Sequence, residues 1–169
     1  MMKPFAGALA LMFVSSLFAQ APTPTATDIS AATIRTLMEK GSGDEIIRMV
    51  NAGVMNVGVA VLQYPKGDRA TAGGISHNDI AEIYYVLRGE ATMYTGGTLE
   101  NPTPMTGNAA QVAGPGNHGR MQGNVVSRKI GPGDTVIVPV NTPHVVRDVT
   151  SDIAFMIVRM DPRKVMTLK

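Results

Sequence analysis

Two short blocks of similar pattern, residues 73–90 and 133–148, constrain the fold of this chain most strongly. The first contains a glycine-rich loop with polar side chains, then the apolar strand 83–87 and an Arg-Gly turn. The second contains a Gly-Asp turn, the apolar strand 135–138, a proline and a histidine. Imidazole and carboxylate groups beside rigid strands are ligands that divalent metal ions prefer. Because two of the three histidines lie in these blocks, we predict that the blocks form the functional centre.

The candidate ligands are His77 and Glu82 in the first block and His144 in the second. Glu82 begins an apolar strand, where a buried carboxylate is unfavourable unless a cation or a hydrogen-bond donor pairs with it. His77 by itself is typical of a solvated loop histidine. Asp79 has two interpretations, an exposed turn residue or a group that supports a metal ligand.

The spacing of the two blocks resembles the paired motifs of the cupin superfamily, small antiparallel β-barrels that often hold one metal ion. The first family motif has a histidine, four residues, a glutamate, six residues and a glycine. The second has a glycine, five residues, a proline, and a histidine five positions after that proline. This chain has both spacings, at His77, Glu82 and Gly89 and at Gly133, Pro139 and His144. The resemblance implies an all-β, single-domain antiparallel β-barrel or jelly roll, with His77, Glu82 and His144 as metal ligands.

Three positions depart from the family pattern. Ile75 stands where metal-binding cupins usually carry a further histidine, Asn141 replaces a glycine, and Asp148 replaces an asparagine. Residues 75 and 77 share a strand face, so Ile75 points into the same cavity as His77. Either two imidazoles and one carboxylate hold the ion, or no metal binds and the cavity is apolar. Mn, Fe, Zn and Ni are not distinguished by this ligand set, to which His118 could add a fourth ligand.

Several other side chains have a structural and a functional interpretation. Strand parity places Tyr84 on the Glu82 face and Tyr85 outside, and we favour an ordinary barrel core position for Tyr84 over a role in the pocket. Arg88, Arg147 and Arg159 could hold an anionic ligand, and solvated ion pairs are the favoured interpretation for each.

The order of segments predicts an exported, single-domain protein. Residues 1–19 have the basic start, apolar core and small terminal residues of a secretory signal peptide, and 20–27 form a polar tether. The domain spans 28–169, beginning with one short helix at 28–40 that ends at a glycine. Residues 96–124 are rich in Gly, Pro, Asn and Thr without periodicity, and we interpret them as a structureless, mobile insertion. The expected location is secreted or periplasmic.

The remaining strands are predicted from apolar runs at 45–50, 54–64, 91–94 and 153–160. The run at 54–64 is apolar on both faces, so we expect it to be covered on both sides. It could also support pairing of two copies, and a homodimer is expected on that basis.

Composition excludes several classes of function. The chain has no cysteine, which rules out disulfides, thiolate metal ligands and cysteine nucleophiles. The net charge is +2 and aromatic residues make up 5%, so neither nucleic acid nor, after signal cleavage, a membrane is an expected partner. Two functions stay open: a metal-dependent enzyme such as a dioxygenase, isomerase or lyase, or a non-catalytic module that binds a small molecule.

Overall fold

The computed structural model describes residues 25–41 and 43–169. The predicted signal peptide and most of the predicted tether lie outside the described residues. Within the described part of the chain, no helix is long and apolar enough to cross a membrane.

Antiparallel strands dominate the described residues, in agreement with the predicted all-β class. The elements in chain order are α1 Ala31–Lys40, β1 Asp44–Asn51, β2 Asn56–Tyr64, β3 Gly74–His77, β4 Ala81–Pro104, α2 Gly107–Ala113, β5 Gly116–Ile130, β6 Thr135–Val138 and β7 His144–Asp161. The sheet order is β1-β2-β7-β3-β5-β4-β6, and β7 also pairs with β4. The structure therefore supports the predicted antiparallel barrel of jelly-roll type.

The two longest strands, β4 and β7, shape the barrel because they pair with each other along most of their length. The second half of β7 also pairs with β2, and the first half of β4 also pairs with β6. Register shifts between Val86 and Thr92 mark where the β4–β7 pairing bends. Bulges of this kind let one strand turn a corner of a barrel without leaving the ladder.

The predicted turn at Arg88-Gly89 is wrong, because β4 continues through it. Gly89 has φ 77°, and a Cβ atom built on it would lie 2.2 Å from the carbonyl oxygen of Asp152. Only glycine accepts both the positive φ and this close approach of β7. The glycine therefore marks a bulge in a continuous strand, and the two predicted strands 83–87 and 91–94 are one.

The main apolar core fills the barrel between the two halves of the sheet. It includes Ala60 and Leu62 from β2, Phe155 and Ile157 from β7, and Met93 from β4, all buried. Alternate residues of these strands point inward, which agrees with the apolar runs from which the strands were predicted.

Helix α1 covers the outer face of β2, so the prediction that this strand is covered on both sides is confirmed. Leu37 of α1 packs with Ile47 and Val61 in a second apolar cluster. The helix begins after Ser30, whose side chain accepts a hydrogen bond from the Thr33 amide at 3.1 Å, and it ends before a glycine in the left-handed region. These are ordinary helix caps. The expected homodimer stays a prediction.

The prediction that residues 96–124 lack regular structure is wrong. They hold the end of β4, helix α2 and most of β5, and we call this segment the arm. Its two strands pair from Thr98–Gln122 to Pro104–Asn117, with glycines at positive φ, among them Gly96, where the chain bends. Most side chains of these strand ends are exposed, so neither face requires apolar residues. Backbone hydrogen bonds between its two strands hold the arm together. Because these bonds do not depend on side-chain type, they produce no alternation of apolar and polar residues in the sequence.

Candidate metal centre

Three strand ends bring the predicted ligands together. His77 is the last residue of β3, Glu82 lies at the start of β4, and His144 is the first residue of β7. Strand β3 pairs with β7 through Ile75 and His144. The amide of Asn141 also donates a hydrogen bond of 2.7 Å to the carbonyl oxygen of His77, which joins the two motif loops directly.

Asn141 has φ 58°, in the left-handed region. This conformation explains the glycine that the family pattern has there, and asparagine is the side chain that adopts it most readily after glycine. Asp148, the other departure in the second block, also has a positive φ of 48°. Both residues are thus of types that reach the left-handed region more readily than most other side chains.

His77, Glu82 and His144 form a buried group that we call the His-Glu-His cluster. Their exposed fractions are 2%, 0% and 2%, and one ligand atom from each lies within 4.8 Å of the others. The Oε2 atom of Glu82 is 3.3 Å from Nε2 of His77 and 3.3 Å from Nε2 of His144. Among the described residues, this is the group of His and acidic side chains with the arrangement of a metal site.

The hydrogen bonds around His144 fix which ring nitrogen is free. Its Nδ1 lies 3.0 Å from the carbonyl oxygen of Thr142, which can only accept, so we assign the proton to Nδ1. In the neutral ring, Nε2 then presents a lone pair to the cluster. A backbone carbonyl that orients a histidine in this way is a common partner of metal-binding histidines.

The charge of Glu82 is supported by neighbours on both of its oxygens. Arg159 Nε donates to Oε1 at 2.9 Å, and the Tyr84 hydroxyl donates to Oε2 at 2.9 Å. Burial alone raises the pKa of Glu82, but the His144 and His77 rings, where they carry a proton toward the carboxylate, and the Arg159 guanidinium outweigh burial and hold the pKa well below its usual range. Glu82 is therefore a carboxylate at neutral pH.

Arg159 is the residue of the site that sequence reasoning missed. The interpretation of a solvated ion pair is wrong, because Arg159 is 1% exposed. Its guanidinium also forms a two-pronged ion pair with Asp44, and its Nη1 donates to the carbonyl oxygen of Val112 in α2 at 3.0 Å. The signal in the sequence is parity: Arg159 follows Phe155 and Ile157 at every second position of β7, on the face that points into the core.

Tyr84 lies in the core and also reaches the cluster. It is 3% exposed and packs edge-on against Phe155, as a core residue does. Its hydroxyl lies 3.2 Å from Nε2 of His144 in addition to its bond to Glu82. Burial, followed by the negative charge of Glu82, raises the pKa of Tyr84 well above its usual value, so the hydroxyl keeps its proton. Tyr85 is 39% exposed, as strand parity predicts.

Two other candidate residues lie outside the cluster. Asp79 forms an ion pair with the exposed Arg163 at 3.4 Å, which supports its interpretation as a turn residue near the surface. His118 lies on β5 with an exposed side chain and is not part of the His-Glu-His cluster. The suggestion that His118 is a fourth ligand is therefore wrong, because its side chain is exposed whereas the three residues of the cluster are buried.

Ile75 lines a small cavity beside the cluster, together with His144 and Tyr84. The cavity has a volume of about 90 Å³, and its other apolar walls are Leu62, Val145 and Val146. Of the three predicted ligands, His144 lines this cavity with Ile75, whereas His77 and Glu82 are not among its lining residues, so a cavity shared by Ile75 and His77 stays a prediction. An aliphatic wall at this position keeps one side of the cluster apolar.

The cluster fits a divalent metal ion by its donor chemistry. Both ring nitrogens of His77 are buried, and in the part of the chain that the structure describes neither has a hydrogen-bond partner. Imidazole nitrogens and a carboxylate oxygen bind Zn²⁺ at about 2.0–2.2 Å, which places neighbouring ligand atoms roughly 3–3.5 Å apart. The two 3.3 Å separations lie in this range. A cation among these atoms would accept the Nε2 lone pair of His144 and neutralise the charge of Glu82 at the same point.

Comparisons with known proteins give similarity at the level of structure alone. No family profile matches the sequence, and no curated protein is similar to it. The chain is similar to the BH2720 protein of Bacillus halodurans, at 13% identity over 87% of this chain and 89% of that one, with a TM-score of 0.49. A cupin protein from Bacteroides fragilis has 14% identity over 66% of this chain and 70% of its own, with a TM-score of 0.36.

A third similar structure is the DMSP lyase DddQ from Ruegeria pomeroyi, at 20% identity and a TM-score of 0.39. The match covers 61% of this chain and 37% of DddQ, so the chain spans little more than a third of that protein. One of these structural neighbours is thus named as a cupin, and the likeness concerns the fold alone. Because these TM-scores are below 0.5, the site is interpreted from its own geometry.

Proposed function

We propose that this chain is an exported enzyme that uses one divalent metal ion to act on a small oxygenated organic molecule. The observation that carries the proposal is His77. It is buried, its Nε2 lies 3.3 Å from a buried carboxylate, and neither of its ring nitrogens has a hydrogen-bond partner within residues 25–41 and 43–169. An unsatisfied buried polar group costs about 1–3 kcal/mol, and metal coordination removes this cost.

Each residue of the site has a role in the proposal. His77, Glu82 and His144 would hold the ion, which when bound supplies Lewis-acid chemistry or a redox centre. Tyr84 holds a proton on its hydroxyl oxygen beside the cavity, donates it in a hydrogen bond of 2.9 Å to Glu82, and so orients that carboxylate. Ile75 and the other apolar walls exclude water from that end of the cavity.

Metal analysis of the purified protein tests the proposal. We expect about one divalent ion per chain when the protein is prepared without added metal, measured by inductively coupled plasma mass spectrometry. His144→Ala should lose the ion, and added metal should no longer raise its melting temperature. The matched control is His118→Ala, which removes an exposed histidine outside the cluster and should leave the metal content unchanged. Equal metal content in both variants would contradict the proposed site.

A second candidate function is a binding module without catalysis. The small size of the cavity and its apolar walls, with Ile75 in place of a further ligand, favour this alternative. A protein that carries no metal, and whose His144→Ala variant melts at the same temperature with and without added ions, would support binding alone.

A further inference from the structure

The cavity beside the His-Glu-His cluster has a cationic side chain at its edge. We propose that Arg69 makes this cavity a binding site for small carboxylates. This inference rests on the function proposed above, since it names the substrate class of the same site. The observations that carry it are the fixed orientation of Arg69, its free nitrogens, the charge of the cavity and its volume.

Two contacts fix the plane of the Arg69 guanidinium. Its Nε donates a hydrogen bond of 3.1 Å to the carbonyl oxygen of Val146, and its central carbon lies 3.8 Å from the centre of the Tyr64 ring. Stacking and one hydrogen bond orient the group before any ligand binds, which reduces the entropy lost on binding.

The two terminal nitrogens of Arg69 are free to bind a ligand. Within residues 25–41 and 43–169, neither has a hydrogen-bond or ion-pair partner. The planar fork of an arginine matches the two oxygens of a carboxylate, with two parallel hydrogen bonds. Arg147, by contrast, already donates to the carbonyl oxygen of Ala72.

The charge of the cavity favours an anion. Arg69 is the permanently charged residue among those that line it, and the lining includes no acidic side chain. The walls between Arg69 and His144 are mainly aliphatic. Such walls lower the local dielectric constant and strengthen the attraction between the guanidinium and a negative ligand.

The volume limits the size of that anion. The cavity of about 90 Å³ equals roughly three water molecules, at ≈ 30 Å³ each. A ligand of about five non-hydrogen atoms, such as glycolate, is near this limit. With its carboxylate on Arg69, the other end of the molecule would point toward Tyr84 and His144.

Calorimetric titration of glycolate and its neutral analogue glycolamide tests the inference. Each is titrated into the metal-loaded protein and into protein held in EDTA. We expect glycolate to bind the wild type at least ~10-fold more tightly than glycolamide, and Arg69→Met to remove this preference while metal content stays the same. Arg69→Lys keeps the charge without the fork and should retain part of it. Arg128→Met, a change at an exposed arginine outside the cavity, should keep the full preference.

The outcomes separate this inference from the metal function. Equal affinity for the two ligands, no detectable glycolate binding, or an unchanged preference in folded Arg69→Met and Arg69→Lys would overturn it. A wild type with bound metal and no charge preference would leave the proposed function standing. A wild type without metal that still prefers glycolate through Arg69 would remove the metal function and keep the carboxylate site.

Discussion

Replacing Arg159 by methionine tests whether this arginine supports the charge of Glu82. The change removes the cation that contacts Glu82 Oε1 and the two-pronged pair with Asp44, while an aliphatic chain of similar length keeps part of the packing. The Asp44 side chain is 24% exposed and can be solvated, whereas Glu82 is buried and cannot. Most of the loss should therefore come from Glu82.

The expected loss follows from this asymmetry. Removing one partner of a buried ion pair costs about 3–5 kcal/mol, because the remaining charge is buried without compensation. For a domain of this size, ~1 kcal/mol corresponds to about 2–4 °C, so the melting temperature should fall by roughly 6–20 °C. A bound divalent ion would supply a replacement cation beside Glu82. We therefore expect a smaller fall in saturating metal than in EDTA.

Thermal unfolding followed by circular dichroism, in EDTA and in saturating metal, measures both quantities. The control is Arg120→Met, which breaks an ion pair with Glu100 in which the arginine side chain is 74% exposed. Such surface pairs contribute about 0–1 kcal/mol, so this variant should melt within a few degrees of the wild type. If Arg159→Met melts like the control in EDTA, the argument that Arg159 stabilises the buried carboxylate is refuted.

Three further predictions concern a glycine, the missing ligand and export. Gly89→Ala should lower the free energy of unfolding, measured by urea denaturation, by several kcal/mol more than Gly123→Ala. Both glycines have positive φ, but an added Cβ atom would meet backbone atoms only at Gly89. Equal losses in the two variants would contradict the close approach of β7 to Gly89. Ile75→His should bind the ion at least ~10-fold more tightly, measured in competition with a chelator, because it adds an imidazole on the cavity wall. Unchanged affinity would contradict the prediction that residues 75 and 77 share a strand face. Mass spectrometry of the exported protein should find a chain that begins after Ala19, and retention of residues 1–18 would refute the signal peptide.

The residues of the His-Glu-His cluster could be predicted because their chemistry is unusual in its local surroundings. A glutamate before an apolar strand and a histidine after a proline turn at fixed spacing stand out within a few residues of sequence. The strands could be predicted where one or both faces are buried, since burial produces apolar runs. The arm could not, because its exposed strands place no such demand on side chains.

Arg159 shows a different reason for failure. Its partners are Asp44, Glu82 and the Val112 carbonyl, which lie on separate elements far apart in the chain. The local sequence indicates only that Arg159 lies on the inward face of β7. The role of an arginine on that face cannot be assigned until its partners are known. The same holds for Tyr84, whose core packing was predicted and whose hydroxyl contacts depend on where His144 lies.

The separation of His77, Glu82 and His144 along the chain has a consequence for how the protein would acquire the proposed ion. His77 and His144 stand on the paired strands β3 and β7, which are separated in the chain by β4 to β6 and the arm. A chain in which these two strands have not yet paired would lack the complete ligand set, so loading of the proposed ion would follow closure of the barrel. Because two imidazoles and a carboxylate accept several first-row metals, supply rather than affinity then decides which one enters. The compartment in which the chain folds would thus choose its metal.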